Sequence, residues 1–291
     1  RLAVPRASAA EIERTNLVSI LLNSQKKFVY IHAGAGYGKT TLLSQTASLT
    51  ENVVWLTLDG ESDVFSFMDI LSGSVRRTFP ASDFSVSEYL PFEGQENFTT
   101  VLANAFLSSI EKLEQKMTII LEDLHTIREQ DLKRLIASIV KYKPDSVRLY
   151  LSSREAPWQE LIPMRVRGES CELTAKELAF TREEVAQIMG FDDAYIYAVT
   201  EGWPLAVGSF KVLLENGVSP SDIVSNTNEA LYSYLFYECV SRLSSEMAGF
   251  LKDSACFEEL DPQMLDFLLG IRNARLLLES LVTRNLFTIK T

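Results

Sequence analysis

Residues 27–33, Lys-Phe-Val-Tyr-Ile-His-Ala, form a short β-rich run that breaks at Ala33-Gly34-Ala35-Gly36-Tyr37-Gly38-Lys39-Thr40-Thr41. From Lys39 to Ala47 the pattern turns helical. A strand, a glycine cluster and a helix in that order leave a chain few options. Glycines let successive backbone N–H groups turn inward without side-chain obstruction, which builds an anion nest. The helix that follows adds its positive N-terminal end. The Lys39 ammonium would then reach the β- and γ-phosphates of a nucleotide, and the Thr40 hydroxyl would go to Mg2+. The candidate binding residues are Gly34, Ala35, Gly36, Tyr37, Gly38, Lys39, Thr40 and Thr41. Ala33 stands where the strict G-x-x-x-x-G-K-[ST] pattern has its first glycine. A plain glycine turn with a solvated lysine is the competing reading, and the strand, the helix and Gly-Lys-Thr-Thr together weigh against it.

Such a loop calls for acid on another parallel strand. Met117-Thr-Ile-Ile-Leu-Glu-Asp-Leu-His125 is nearly all apolar up to Glu122-Asp123, as expected of a strand covered on both faces whose acids emerge at its C-terminal end. One carboxylate would hold Mg2+, usually through water, and the other would orient the attacking water. The residues leave open which does which. The strand expected over 53–58 intervenes in the chain, and an extra strand between the two motifs is typical of one group of NTPases. At the tip of the next strand, over 148–153, Arg154 is placed to sense a γ-phosphate. Taken singly, the acids and the arginine also read as solvated surface groups.

Helical spacing over 65–71, 98–113 and 131–142 alternates with these strands, which implies an α/β fold with a mainly parallel wound sheet. Residues 169–174 read as a last edge strand. Beyond them helices dominate, over 181–190, 193–201, 204–216, 228–243, 246–254, 262–269 and 274–284, before a short strand at 286–289. Thr174-Ala-Lys-Glu177 and Thr181-Arg-Glu-Glu184 both have capping-box spacing. Helices closing on a strand suit a winged helix. The expected domains are a nucleotide-binding domain over 1–170, a helical domain over 171–233 and a winged-helix domain over 234–291.

The formal charge of −11 repels a phosphate backbone, so this stretch is not expected to bind duplex DNA by itself. The first fifty residues run against that trend, with Arg1, Arg6, Arg14, Lys26, Lys27 and Lys39 facing only Glu11 and Glu13, which hints at a small anionic ligand. Cys171, Cys239 and Cys256 are too scattered for a disulfide framework or zinc ribbon, and two histidines cannot build a multi-histidine metal site. No apolar run is long enough to span a membrane, and no signal peptide opens the chain, so a cytoplasmic location and a fragment of a longer protein are expected.

Ala-Gly-Tyr-Gly-Lys-Thr-Thr-Leu (35–42), the acids with Leu-His (122–125), Leu-Ser-Ser-Arg (151–154), Leu-Ala-Phe-Thr-Arg-Glu-Glu (178–184) and Glu-Gly-Trp-Pro-Leu-Ala (201–206) together resemble a known family. It is that of the MalT-like large ATP-binding transcriptional regulators with a LuxR-type C-terminus, P-loop NTPases of the signal-transducing STAND class. Trp55-Leu-Thr-Leu-Asp59 and Arg284-Asn-Leu-Phe287 also match its wording, and the likeness runs in the family's order over nearly the whole chain. The resemblance implies an ATP/ADP switch with slow hydrolysis, self-association in the ATP form, and an inducer and DNA engaged through domains outside this chain. It implies that Pro204, in the Gly-x-Pro motif, packs near the adenine, and that Arg14 lies near the nucleotide. Pro204 also reads as a helix start. The family's acidic pair is usually Asp-Asp, whereas Glu122 stands first here. Related switches hold ADP with a winged-helix histidine, and no histidine follows His125. Other classes remain: an AAA-like ATP-driven motor or remodelling enzyme, an interaction module with a vestigial loop, and a small-molecule kinase.

Overall fold

The structure is a computed structural model describing residues 4–5, 12–60, 62–192, 194–215, 217, 219, 240, 243–257 and 259–283. The chain divides into two compact units, Arg1–His32 with Lys39–Thr174, and Ala33–Gly38 with Ala175–Thr291.

The first unit is built on strands β1 (Phe28–His32), β2 (Val53–Thr57), β3 (Met117–Glu122), β4 (Val147–Ser153) and β5 (Ser170–Leu173), ordered β2-β3-β4-β1-β5. Every pairing is parallel. Burial explains the composition: all residues of β1 and β3 are buried, as is β4 apart from Arg148. A parallel sheet covered on both faces tolerates few polar residues. The extra strand between the two motifs is present, and it is β4, which separates β3 from β1 in space. β2, which separates them along the chain, lies at the sheet edge beyond β3.

The helices of this unit are α1 (Thr15–Asn23), α2 (Lys39–Ser48), α3 (Val64–Thr78), α4 (Phe98–Glu111), α5 (Gln130–Tyr142) and the short α6 (Ile162–Val166). On α5 the buried positions Leu132, Leu135, Ile136, Ile139 and Val140 follow the period of one helix face. Asp63 caps α3 by accepting from the Ser66 N–H at 2.7 Å. Apolar spacing gives no sign of α1 or α6. In α1, Leu17, Val18 and Leu21 are buried in a helix of only nine residues, a signal too short to separate from a strand.

The second unit contains α7 (Ala175–Leu178), α8 (Arg182–Met189), α9 (Ala194–Thr200), α10 (Pro204–Glu215), α11 (Ser245–Ser254), α12 (Pro262–Leu269) and α13 (Ala274–Thr283). The capping box expected at Thr181 is formed, with Glu184 reaching back to the Thr181 N–H at 2.8 Å. Gly190 closes the same helix in the left-handed region. Val240, Met247, Phe250, Leu265, Ala274, Leu277 and Leu281 form a core that also takes in Ala35. The helix expected over 228–243 falls largely outside the described residues, and the strand expected at 286–289 entirely so.

Candidate nucleotide-binding site

The glycine loop leaves β1 and enters α2 at Lys39. Gly36 and Gly38 have φ of 75° and 74°, while φ at Tyr37 between them is not positive. Positive-φ glycines on either side of Tyr37 let the loop backbone fold back on itself just before the helix, as an anion-binding loop needs. A positive φ at both positions favours glycine, which adopts it without steric cost. At Gly36 a Cβ would also lie 2.5 Å from Leu205 Cβ, whereas Gly38 has open space around it.

In the sheet unit, Glu122 ends β3 with 3% of its surface exposed. Its Oε1 accepts from the Thr40 hydroxyl at 2.6 Å and its Oε2 from the Thr57 hydroxyl at 3.3 Å. Burial pushes the Glu122 carboxyl up, Asp123 adds to the rise, and the Thr40 and Thr57 hydrogen bonds and the charge of Lys39 oppose it. Thr57 belongs to neither the phosphate-loop motif nor the acidic one. As the last residue of β2, its period-2 position and the adjacency of β2 to β3 are its only signal.

Asp123 differs in every respect. It sits just past β3 at φ 59°, ψ 39°, a left-handed position for a non-glycine residue. Its carbonyl accepts from the Thr126 N–H at 2.9 Å and the Thr126 hydroxyl at 2.8 Å, which offsets the cost of that conformation. Its carboxylate, in a side chain 42% exposed, lies 3.8 Å from His125 Nδ1.

Burial pushes the Lys39 ammonium down to about 8, and Arg154 lowers it further, against the pull of Asp123 and Glu122. Two cations in one place, one of them partly desolvated, make a region that a polyphosphate would neutralise. Lys39, Thr40, Glu122, Asp123 and Arg154 are thus brought together in one unit. Thr41 follows within α2. Arg14 is buried, and its backbone N–H donates to Gln45 Oε1 of α2 at 2.9 Å, while Gln45 Nε2 donates to the Ile12 carbonyl. Among the described residues no group of three or more His, Cys, Asp or Glu could hold a metal ion. A Mg2+ would draw on the Thr40 hydroxyl and the carboxylate at the end of β3, with phosphate and water completing its shell, and the short hydroxyl–carboxylate contact fits that donor set.

In the helical unit Pro204 occupies the first position of α10, as its fixed φ favours. Its neighbours touch the loop directly. Trp203 Nε1 donates to the Ala35 carbonyl at 3.1 Å, the Leu205 N–H donates to the Gly36 carbonyl at 3.0 Å, and the Tyr37 and Trp203 rings lie 6.4 Å apart.

A five-stranded parallel sheet with a glycine-rich loop after β1, acids after β3 and one strand interposed defines a P-loop NTPase fold. The chain shares that fold with a Walker-type ATPase of Pyrococcus abyssi, at a TM-score of 0.63 and 14% identity over 97% of this chain and 92% of the other. Residues 236–291 match the MalT winged helix domain. The chain is 26% identical to the HTH-type transcriptional regulator MalT of Vibrio parahaemolyticus over 90% of its own length. It is 23% identical over its whole length to the serine/threonine-protein kinase PknK of Mycobacterium tuberculosis. It spans 30% of the first of these relatives and 28% of the second. The chain thus carries a P-loop NTPase fold followed by a stretch that matches the MalT winged helix domain, and it is similar along most of its length to MalT-type regulators.

Proposed function

We propose that this chain is the ATP/ADP-binding switch module of a MalT-like, LuxR-type transcriptional regulator. The observation that carries the reading is the 2.6 Å bond between Thr40, one residue past the phosphate-loop lysine, and Glu122 at the end of β3. Residues 34–41 would cradle the phosphates, with Lys39 as the point charge. Glu122, buried and bonded to the metal-binding hydroxyl, is the acid on the Mg2+ side. Asp123, exposed and set apart by its left-handed backbone, is the acid that orients the attacking water. Arg154 senses the γ-phosphate, and Pro204 and Arg14 border the nucleotide. The domains run over 1–170, 171–233 and 234–291.

Hydrolysis here serves as a timer. ATP favours a self-associating form and ADP a closed one, which requires that the two nucleotides bind the two forms with different affinity. Inducer and DNA are engaged elsewhere in the regulator. Among the described residues no helix is long and apolar enough to cross a membrane, and we place the protein in the cytoplasm.

Calorimetry with ADP and ATP separates the roles. Glu122→Gln should remove the Mg2+-dependent part of ATP affinity and leave Mg2+-free ADP binding intact. Asp123→Asn should bind both nucleotides and fail to hydrolyse. Loss of metal dependence in Asp123→Asn instead would reverse the assignment, and rapid steady turnover in the wild type would favour a motor over a switch.

A further inference from the structure

The start of α10 contacts the glycine loop through its carbonyl oxygens, and that choice of atoms has a consequence for the opposite side of each peptide. In a trans peptide the C=O of one residue and the N–H of the next point in opposite directions, and no described peptide is cis. The Trp203 indole holds the Ala35 carbonyl, so the Gly36 N–H is aimed away from α10. The Leu205 N–H holds the Gly36 carbonyl, so the Tyr37 N–H is aimed away as well. Two consecutive amides of the nest are thereby fixed in direction by two consecutive donors on one helix start.

We infer that Trp203 and Leu205 are positioning residues for the nucleotide phosphates: they clamp the phosphate loop from behind and present the Gly36 and Tyr37 amides as a ready-made anion cradle. This rests on the reading of residues 34–41 as a phosphate loop. Three further features fit the clamp. Pro204 lies between the two donors, and its fixed φ starts α10 so that the next residue's N–H, unused by the helix, is available to the loop. Leu205 packs where a Cβ on residue 36 would stand, so the absence of a side chain at Gly36 serves the clamp as well as the backbone turn. Ala35 is buried in the core formed with α11, α12 and α13, which anchors the loop to the same unit as the clamp.

The effect on binding is one of preorganisation. An unclamped glycine-rich loop must lose conformational freedom when it closes on phosphate, and a clamped one has lost it already. Donation to a carbonyl also polarises its peptide and strengthens the N–H on the far side.

Full-length chain and ADP test the inference by calorimetry, with Trp203→Phe removing the indole N–H and keeping an aromatic ring. ADP affinity should fall about three- to tenfold, the worth of one uncharged hydrogen bond. A residue that only supported the fold would lower the melting temperature and leave the affinity of the folded protein unchanged, and that result would overturn the clamp. Wild-type protein labelled with 15N-tryptophan gives a second readout that does not depend on the variant folding. The chain has three tryptophans, and the Trp203 indole signal, assigned with Trp55→Phe and Trp158→Phe, should move on ADP addition. ADP binding with that signal unmoved would overturn the clamp and leave the phosphate loop standing. No ADP binding by the wild type would overturn the phosphate-loop reading, and this inference with it.

Discussion

Lys39 and Glu122 are each held against their ordinary ionisation, and the direction of each shift sets what should be observed. In the nucleotide-free protein the Lys39 ammonium is pushed down to about 8, first by burial and then by Arg154. Only the charged form draws a polyphosphate, so nucleotide affinity should weaken as pH rises through about 8. Binding above that pH should take up a proton, visible as a calorimetric enthalpy that depends on the buffer's ionisation heat. Arg154→Ala removes a repelling charge and should move the break to higher pH. The same shift acts on stability with the opposite sense. Because the folded pKa lies below the unfolded one, the unfolded chain binds more protons between about 8 and 10.5, and the nucleotide-free protein should gain stability as pH climbs through that window. Lys39→Ala removes the ammonium altogether and should weaken ADP by on the order of a hundredfold, since bonds from a charged donor are worth roughly twice a neutral one; unchanged affinity would refute the proposed function.

The elements that carry these residues are stabilised locally in ways that can be tested one by one. Thr181 and Glu184 satisfy each other's backbone at the start of α8, so Thr181→Ala should cost about 1 kcal/mol in urea denaturation. Asp63 caps α3 through the Ser66 N–H, which holds its carboxyl below the usual range. Its contribution is present above the unfolded carboxylate pKa and is lost as pH falls through the folded value, so Asp63→Asn should flatten the acid limb of the stability profile. Elements with long periodic apolar faces were legible from spacing alone, among them α3, α4, α5 and the buried runs of β1, β3 and β4. The nine-residue α1 and five-residue α6 were not, because so few residues do not establish a period. At the site, Lys39, Thr40, Glu122, Asp123 and Arg154 were all readable as motif positions. Thr57, Trp203 and Leu205 were not readable as contacts, because a hydrogen bond between distant segments leaves no mark in the spacing of either.

For the whole molecule, nucleotide that binds only the folded chain must stabilise it by mass action. At a hundredfold excess over Kd this amounts to about 2.7 kcal/mol, so the melting temperature should climb with ADP concentration in the wild type and stay flat in Lys39→Ala. Sedimentation in ATP against ADP then tests the switch: a larger species with ATP alone supports it, and identical behaviour in both nucleotides would sink it. Within the helical unit, Ala35 of the stretch proposed to hold phosphate is packed into the core.

The sequence by itself determined the parallel α/β class, the glycine turn after β1, the identity of the lysine, hydroxyl and acids of the candidate site, and the helix caps. All of these are set by residues close together in the chain, through periodicity, glycine's access to positive φ and the reach of a side chain to its own backbone. Tertiary structure decided the rest. Strand order placed β4 rather than β2 between the two motifs. Burial and a bond to Thr40 told Glu122 from Asp123, and packing brought the start of α10 within hydrogen-bond reach of the Ala35 and Gly36 carbonyls. Those outcomes depend on which distant segments share a face or a hydrogen bond, and local spacing carries no record of that choice.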